Sequence, residues 1–189
     1  MAQKEKKYKW RREEYQENTR GLLMVHIGNG KGKTTCALGL MMRAAGRGLK
    51  CCMIQFMKSR NDRYGEHVSA EKLGIEVHTM GDGFTWNTQD RAQDTASARK
   101  AWDCAVAMLR DPSFDVVILD ELNVVLKHCY LPLDEVLGEI RGKREMLHVV
   151  ITGRNARDEL IDLADVVTEM KLIKHPYRSG IKAQKGVEF

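Results

Sequence analysis

The chain has 189 residues, of which 43% are hydrophobic and 30% charged, and its formal net charge is +5. This balance predicts one globular unit, and no apolar run approaches the roughly 20 residues of a membrane-spanning helix, so a membrane partner is not expected. Residues 1–20 hold seven Lys/Arg against four Glu, which leaves 24 against 22 in the rest. Because this body is nearly neutral, nucleic acid is not an expected partner either.

The first 20 residues form a charged arm that precedes a catalytic region predicted over residues 21–189. The arm lacks the apolar core of a secretory signal, so a cytoplasmic location is expected. On composition alone, the arm fits a disordered tail as well as it fits a functional segment.

Six short apolar runs rich in Val, Ile, Leu and Met follow the arm, and each is typical of a buried strand. They are "LLMVHI" (22–27), "KCCMIQFM" (50–57), "IEVHTM" (75–80), "FDVVILD" (114–120), "LHVVIT" (147–152) and "DVVTEMKLI" (165–173).

Four segments between these runs show the three- and four-residue apolar spacing of helices. They are "TTCALGLMMRAAGRG", "NTQDRAQDTASARKAWDCAVAMLRD", "PLDEVLGEIRG" and "ARDELIDLA". The polar stretch from Lys58 to Lys72 is predicted to be an exposed loop. Strands alternating with helices predict an α/β fold with a mostly parallel central sheet flanked by helices.

The segment "GNGKGKTT" after the first predicted strand indicates a phosphate-binding loop, or P-loop. Such a loop normally reads G-x-x-x-x-G-K-[ST], so that backbone amides, a helix N-terminus and a lysine surround phosphate oxygens. Here only three residues separate Gly28 from Gly32, and the loop is one residue short. Lys33 and Thr34 still stand where the lysine and the Mg²⁺-binding hydroxyl belong.

The run "VVILDE" ends in Asp120 and Glu121, as expected of the acidic strand that holds Mg²⁺ beside a P-loop. A strand-end acidic pair alone is a weak signal, because carboxylates also cap helices. Adjacent strand residues point to opposite sides, so the two carboxylates are expected to have different roles.

The P-loop and the acidic strand suit phosphoryl transfer or ATP hydrolysis. The guanine-specific N-K-x-D motif is absent, so a GTPase is not expected. The sequence shows no Ser-His, Cys-His or lysine arrangement typical of a protein nucleophile, so the nucleophile is expected to come from the substrate.

Six segments in this order resemble the P-loop cob(I)alamin (corrinoid) adenosyltransferases of coenzyme B12 biosynthesis and salvage. They are "GNGKGKTT", "GFTWNTQD", "VVILDELN", "VVITGRN", "DLADVVTEM" and "KHPYRSGIKAQKGVEF". The resemblance implies a RecA-like P-loop fold and transfer of the 5′-deoxyadenosyl group of MgATP to the Co(I) of a reduced corrinoid, with release of triphosphate. The alternative is a RecA-like ATPase, in which Glu121 orients a water.

The resemblance also implies the site residues. The expected catalytic residues are Lys33, Glu121, Phe84 and Trp86. The two aromatic residues are expected to cover the lower face of the corrinoid. Mg²⁺ is expected on Thr34, Asp120 and Glu121. The expected ATP and phosphate contacts are Gly28, Asn29, Gly30, Lys31, Gly32, Lys33, Thr34, Thr35, Arg43 and Arg154.

Further expectations concern partners. The family suggests that the arm is a helix covering an active site across a homodimer, with Tyr8 and Tyr15 on one face. It also suggests a reduced flavoprotein as electron donor. A surface salt bridge explains Arg43 equally well, and two core aromatics are the alternative for "GFTW".

Overall fold

The computed structural model describes residues 20–81 and 90–188, which contain six strands in one sheet. The strands are β1 Leu23–Ile27, β2 Cys51–Ser59, β3 Glu76–Gly81, β4 Val116–Asp120, β5 His148–Thr152 and β6 Val166–Glu169. Their order across the sheet is β3-β2-β4-β5-β1-β6, and every pairing is parallel. All six predicted strands are present, although the sixth covers only Val166–Glu169 of the predicted 165–173. The predicted parallel α/β fold is confirmed.

Six α-helices connect the strands within the described residues. They are α1 Lys33–Ala45, α2 Gly65–Lys72, α3 Arg91–Arg110, α4 Leu122–Lys127, α5 Leu133–Arg141 and α6 Asp158–Leu163. A 3-10 turn, Pro176–Ser179, lies near the C-terminus.

The strand sequences are continuously apolar because helices cover both faces of the central sheet. All five residues of β4 are buried, whereas the edge strand β6 is mostly exposed. One face packs on α3 to α6 around Trp102 and Phe114, and the other packs on α1 and α2 around Met41 and Met53.

The prediction of a loop from Lys58 to Lys72 was wrong, although most of these residues are exposed as expected. Strand β2 continues to Ser59, and α2 occupies Gly65–Lys72. This helix buries only Ala70, so its sequence lacks an apolar stripe. The Glu66 carboxylate of α2 accepts a hydrogen bond from Lys58 of β2, which holds the helix in place. Local sequence does not reveal such contacts between separate elements.

Helix α4 was also not predicted. Its β-branched Val124 and Val125 have low intrinsic helix propensity. Burial of Leu122, Val125 and Leu126 in the core overrides that preference. Among the described residues, no helix is long and apolar enough to span a membrane.

Candidate active site

The phosphate-binding loop joins β1 to α1 at the carboxyl edge of the sheet. It begins at Gly28, whose φ is +99°, and ends at Gly32, whose φ is +111°. Both angles are left-handed and favour glycine. Ile27 remains the last residue of β1, so the loop is as short as its sequence spacing indicates.

The loop packs directly on the chain segment that follows β6. The Gly30 amide donates to the Met170 carbonyl over 2.7 Å, and the Met170 amide donates to the Ile27 carbonyl over 2.8 Å. A Cβ at Gly30 would lie 2.7 Å from the carbonyl oxygens of Met170 and Lys171. Close backbone contact, rather than a turn angle, therefore explains this glycine.

Lys33 is the first residue of α1 and is 7% exposed. Its Nζ donates to the carbonyl oxygens of Gly28 and Gly30, each over 2.8 Å. Burial lowers the pKa of this ammonium, while the nearby Glu121 carboxylate opposes that change. The positive charge is thus fixed at the centre of the loop, at the N-terminus of α1, whose first-turn amides have no partner within the helix.

Asp120 connects the loop to the acidic strand. It is 1% exposed, and its Oδ1 accepts hydrogen bonds from the hydroxyls of Thr34 at 2.9 Å and Thr152 at 2.7 Å. Its Oδ2 is buried and has no hydrogen-bond partner among the described residues. Burial raises the pKa of this carboxyl, against the bonds from Thr152 and Thr34 and the charge of Lys58.

Glu121 adopts a left-handed backbone with φ of 63°, which turns the chain from β4 into α4. A non-glycine residue in this region is strained, and such strain is concentrated at functional sites. Burial, followed by the neighbouring Asp120 carboxylate, raises the pKa of Glu121 to about 7. Two carboxyl groups are therefore crowded at one strand end beside Lys33.

Sequence reasoning missed the residues that position this acidic pair. Thr152 ends β5, between β1 and β4, and its Oγ1 also accepts from the Glu121 amide at 2.9 Å. Gly153 follows with φ of +132°, and a Cβ there would lie 3.1 Å from Glu121 Oε2. The sequence signal that could have identified this position is Thr152 followed by Gly153, at the end of a strand rich in Val and Ile.

Other predicted contacts lie at different distances from the loop. Arg154 is exposed, and its charge acts on both Lys33 and Glu121, so it lies within reach of the site. Lys31 is exposed and forms a 2.5 Å ion pair with Glu188. Arg43 lies in the last turn of α1, about 15 Å along the helix axis from Lys33. Its contact with the nucleotide stays a prediction.

A cleft of about 670 Å³ opens beside the loop, between α1, α2 and residues 186–188. Its polar lining consists of Thr34, Thr35, Lys58, Glu66, Ser69 and Glu188. A larger hollow of about 1070 Å³ lies on the opposite face of the sheet, against α3 and residues 129–133, and none of the loop or acidic residues lines it. Of the predicted site residues, Thr34 and Thr35 line the cleft, and it is therefore the candidate nucleotide site.

Two groups of predicted residues lie outside the described part of the chain. Phe84 and Trp86 fall between residues 81 and 90, and Tyr8 and Tyr15 precede residue 20. Asn29 is described and exposed in the loop.

A P-loop strand, an acidic strand and a lysine-centred loop at one sheet edge define a nucleotide-binding P-loop protein. Residues 19–189 match the sequence profile of ATP:corrinoid adenosyltransferase BtuR/CobO/CobP. The chain belongs to this family of transferases, and the resemblance inferred from its motifs is confirmed.

Similar proteins agree with this assignment. A corrinoid adenosyltransferase of Pseudomonas aeruginosa is 52% identical over 172 residues, which cover 90% of this chain and 84% of that protein. The corrinoid adenosyltransferase of Escherichia coli is 42% identical and covers 92% and 88%.

A solved structure supports the fold alone. The flagellar accessory protein FlaH of Methanocaldococcus jannaschii superposes with a TM-score of 0.53 at 9% identity, covering 80% of this chain and 71% of that chain. The predicted RecA-like P-loop fold is confirmed.

Proposed function

We propose that this chain transfers the 5′-deoxyadenosyl group of ATP to the Co(I) of a reduced corrinoid, releasing triphosphate, in adenosylcobalamin synthesis or salvage. Family membership supports the reaction. The observation that carries the proposal in the structure is the link from the phosphate loop to the acidic strand through the 2.9 Å hydrogen bond between Thr34 and Asp120. Thr34 also lines the cleft, so this bond connects the cleft to the acidic strand.

The reaction forms a cobalt–carbon bond and breaks the C5′–O bond of ATP. The electron pair of Co(I) attacks C5′, and the electrons of the broken bond leave on the triphosphate oxygen. The protein aligns the two centres and stabilises charge on the leaving group. Lys33 and the amides of the first turn of α1 would perform the second task. The Lys33 ammonium is held inside the loop by its bonds to the Gly28 and Gly30 carbonyls.

We propose Mg²⁺ as the accompanying cation. Among the described residues, no three His, Cys, Asp or Glu side chains form a metal-binding group. Mg²⁺ fits such a site, since it binds through one or two carboxylates together with water and substrate phosphates. The unpartnered, buried Asp120 Oδ2 is a suitable acceptor position. Thr34, Asp120 and Glu121 would hold the ion, which neutralises part of the triphosphate charge.

The identity of the phosphate product tests the proposed reaction. With MgATP and chemically reduced corrinoid, we expect one triphosphate per adenosylated corrinoid, because the bond broken lies at the ribose carbon. Ion-exchange chromatography separates the phosphate products, and a sample without corrinoid is the control. ADP and inorganic phosphate in place of triphosphate would support the alternative RecA-like ATPase.

We also propose a cytoplasmic homodimer in which residues 1–20 of one copy cover the site of the other, with a reduced flavoprotein as electron donor. The charge of the arm and the family resemblance support this arrangement. Deleting residues 1–19 is expected to raise KM for the corrinoid at least about fivefold and to leave the Kd for ATP within about twofold, since losing even one contact worth about 1 kcal/mol weakens binding roughly fivefold. Steady-state kinetics and calorimetry measure the two constants. Unchanged corrinoid kinetics would refute the lid.

We propose that Phe84 and Trp86 displace the lower axial ligand of the Co(II) corrinoid. Losing that ligand lowers the energy of the cobalt orbital that points along the axis. Reduction of Co(II) to Co(I) therefore becomes easier. Trp86→Ala is expected to slow adenosylation from Co(II) about tenfold or more, whereas a substrate already reduced to Co(I) should react at closer to the normal rate. Electron paramagnetic resonance should show a weaker four-coordinate Co(II) signal. An undiminished signal, or equal losses from both oxidation states, would contradict this role.

A further inference from the structure

The acidic strand, the phosphate loop and β5 meet at one oxygen atom, Oδ1 of Asp120. This atom accepts hydrogen bonds from the Thr34 hydroxyl of α1 at 2.9 Å and from the Thr152 hydroxyl of β5 at 2.7 Å. A carboxylate oxygen has two lone-pair positions, so two hydroxyl donors fill it. Oδ1 therefore has no free position for a further partner.

The second oxygen of the same carboxylate, Asp120 Oδ2, is in the opposite situation. It is buried and has no hydrogen-bond partner among the described residues, and the residue as a whole is only 1% exposed. A buried carboxylate oxygen is costly unless a donor or an ion satisfies it. Asp120 thus offers one oxygen, and not two, to a cation or to water bound to a cation.

The Thr152 hydroxyl is held so that its proton reaches Asp120. Thr152 is fully buried, and its Oγ1 accepts from the Glu121 amide at 2.9 Å. A hydroxyl has one proton, and because the amide occupies its acceptor side, that proton is directed to Asp120 Oδ1. Strand β5 pairs with β4 on one side and with β1 on the other, so the sheet fixes Thr152 relative to the acidic strand.

The number of carboxylate oxygens that a site offers affects which cation it binds. Mg²⁺ requires near-octahedral geometry with ligands at about 2.0–2.1 Å and keeps several of its waters, so a single carboxylate oxygen suits it. Ca²⁺ takes roughly six to eight oxygen ligands and can take two of them from one carboxylate. Filling one oxygen of Asp120 with hydroxyl donors therefore disfavours the larger ion.

We propose that Thr152 determines the cation specificity of the nucleotide site, because it restricts Asp120 to coordination through Oδ2 and so favours Mg²⁺ over Ca²⁺. The inference rests on the proposed function, in which Mg²⁺ accompanies ATP. Thr152 acts through Asp120 and is a positioning residue. Without its hydroxyl, Oδ1 regains a free lone pair, and the carboxylate can bind an ion through both oxygens.

The affinity for ATP with each cation tests the inference. Calorimetric titration gives the Kd for ATP with saturating Mg²⁺, with saturating Ca²⁺ and with a chelator. Wild-type protein should bind MgATP at least about tenfold more tightly than CaATP, as the single available oxygen requires. Thr152→Ala should weaken binding of MgATP about 10- to 100-fold, the usual cost of losing a group that orients a metal ligand, and binding of CaATP less than about threefold. Thr152→Ser, which keeps the hydroxyl, should retain the preference for Mg²⁺.

A purely structural role of Thr152 predicts a different result, because lost packing would weaken MgATP and CaATP binding equally. Thr152→Val keeps the branched side chain without the hydroxyl and should lose the preference as Thr152→Ala does. Thr79→Val, which removes a strand hydroxyl bonded to Gln55, is the matched control and should leave the ratio of the two dissociation constants unchanged.

Three outcomes would overturn the inference. They are equal weakening with both cations, an unchanged preference for Mg²⁺ in the two variants without the hydroxyl, and a wild-type protein that binds ATP equally well with either cation. Release of ADP and phosphate in place of triphosphate by the wild type would instead overturn the proposed reaction and leave the cation measurements intact. The two failures are therefore distinguishable.

Discussion

Replacing Lys33 with alanine is expected to lower kcat/KM for adenosyl transfer by about 10²- to 10³-fold, the usual cost of losing one preorganised donor to a developing negative charge. Lys33 is 7% exposed, so it contributes its charge from a water-poor position. Neither Lys31, which is exposed and paired with Glu188, nor Arg154 takes the same place at the centre of the loop.

Initial rates with chemically reduced corrinoid measure this effect without involving the electron donor. The variant should fold, because Lys33 adds no apolar packing, although the loss of its bonds to Gly28 and Gly30 should lower the melting temperature by a few degrees. Lys72→Ala is the control for removing an exposed positive charge. Unchanged turnover in a folded Lys33→Ala variant would refute the role.

The sheet was predictable because its strands are buried on both faces and therefore show as uninterrupted Val, Ile and Met runs. All five residues of β4 and the first seven of β2 are buried, and both strands were found. Helix α2 was missed for the opposite reason. Only Ala70 of this helix is buried, and its stability depends on pairs such as Lys58–Glu66, which join separate elements.

The candidate site was predictable where one short segment contains the chemistry. The loop from Gly28 to Thr34 and the pair Asp120 and Glu121 are such segments, and the structure places them together. The supporting residues come from elsewhere in the chain. Thr152 holds Asp120 and the Glu121 backbone from β5, and Met170 braces the loop from beyond β6. Only the strand order reveals that these residues meet.

The crowding of Asp120 and Glu121 suggests that the site is built at a cost to stability. Both carboxyls have pKa values raised mainly by burial, and the value for Glu121 reaches about 7 from an ordinary 4.5. Below about pH 4.5, the Glu121 carboxyl is protonated in both the folded and the unfolded chain. As the pH rises toward 7, the unfolded chain loses this proton first, so the folded state is progressively destabilised. Above pH 7, the full penalty for burying the charge remains.

Glu121→Gln is therefore expected to stabilise the metal-free protein at pH 8 by about 1 to 3 kcal/mol, because it keeps the side-chain volume and removes the buried charge. The gain should shrink as the pH falls through 7 and vanish near pH 4.5. The same variant should lose at least about 100-fold in kcat/KM with MgATP, since an amide replaces the proposed metal-binding carboxylate.

Thermal unfolding in a chelator at pH 5 and pH 8 measures the stability change, and initial rates measure the activity. Glu71→Gln, which removes a carboxylate that is 70% exposed, is the matched control and should leave both quantities nearly unchanged. A Glu121→Gln protein with wild-type activity would exclude the metal-binding role, and a melting temperature equal to that of the wild type at both pH values would show that the Glu121 charge is not held at a cost. The combination of higher stability and lost activity would identify Glu121 as a residue retained for chemistry against the stability of the fold.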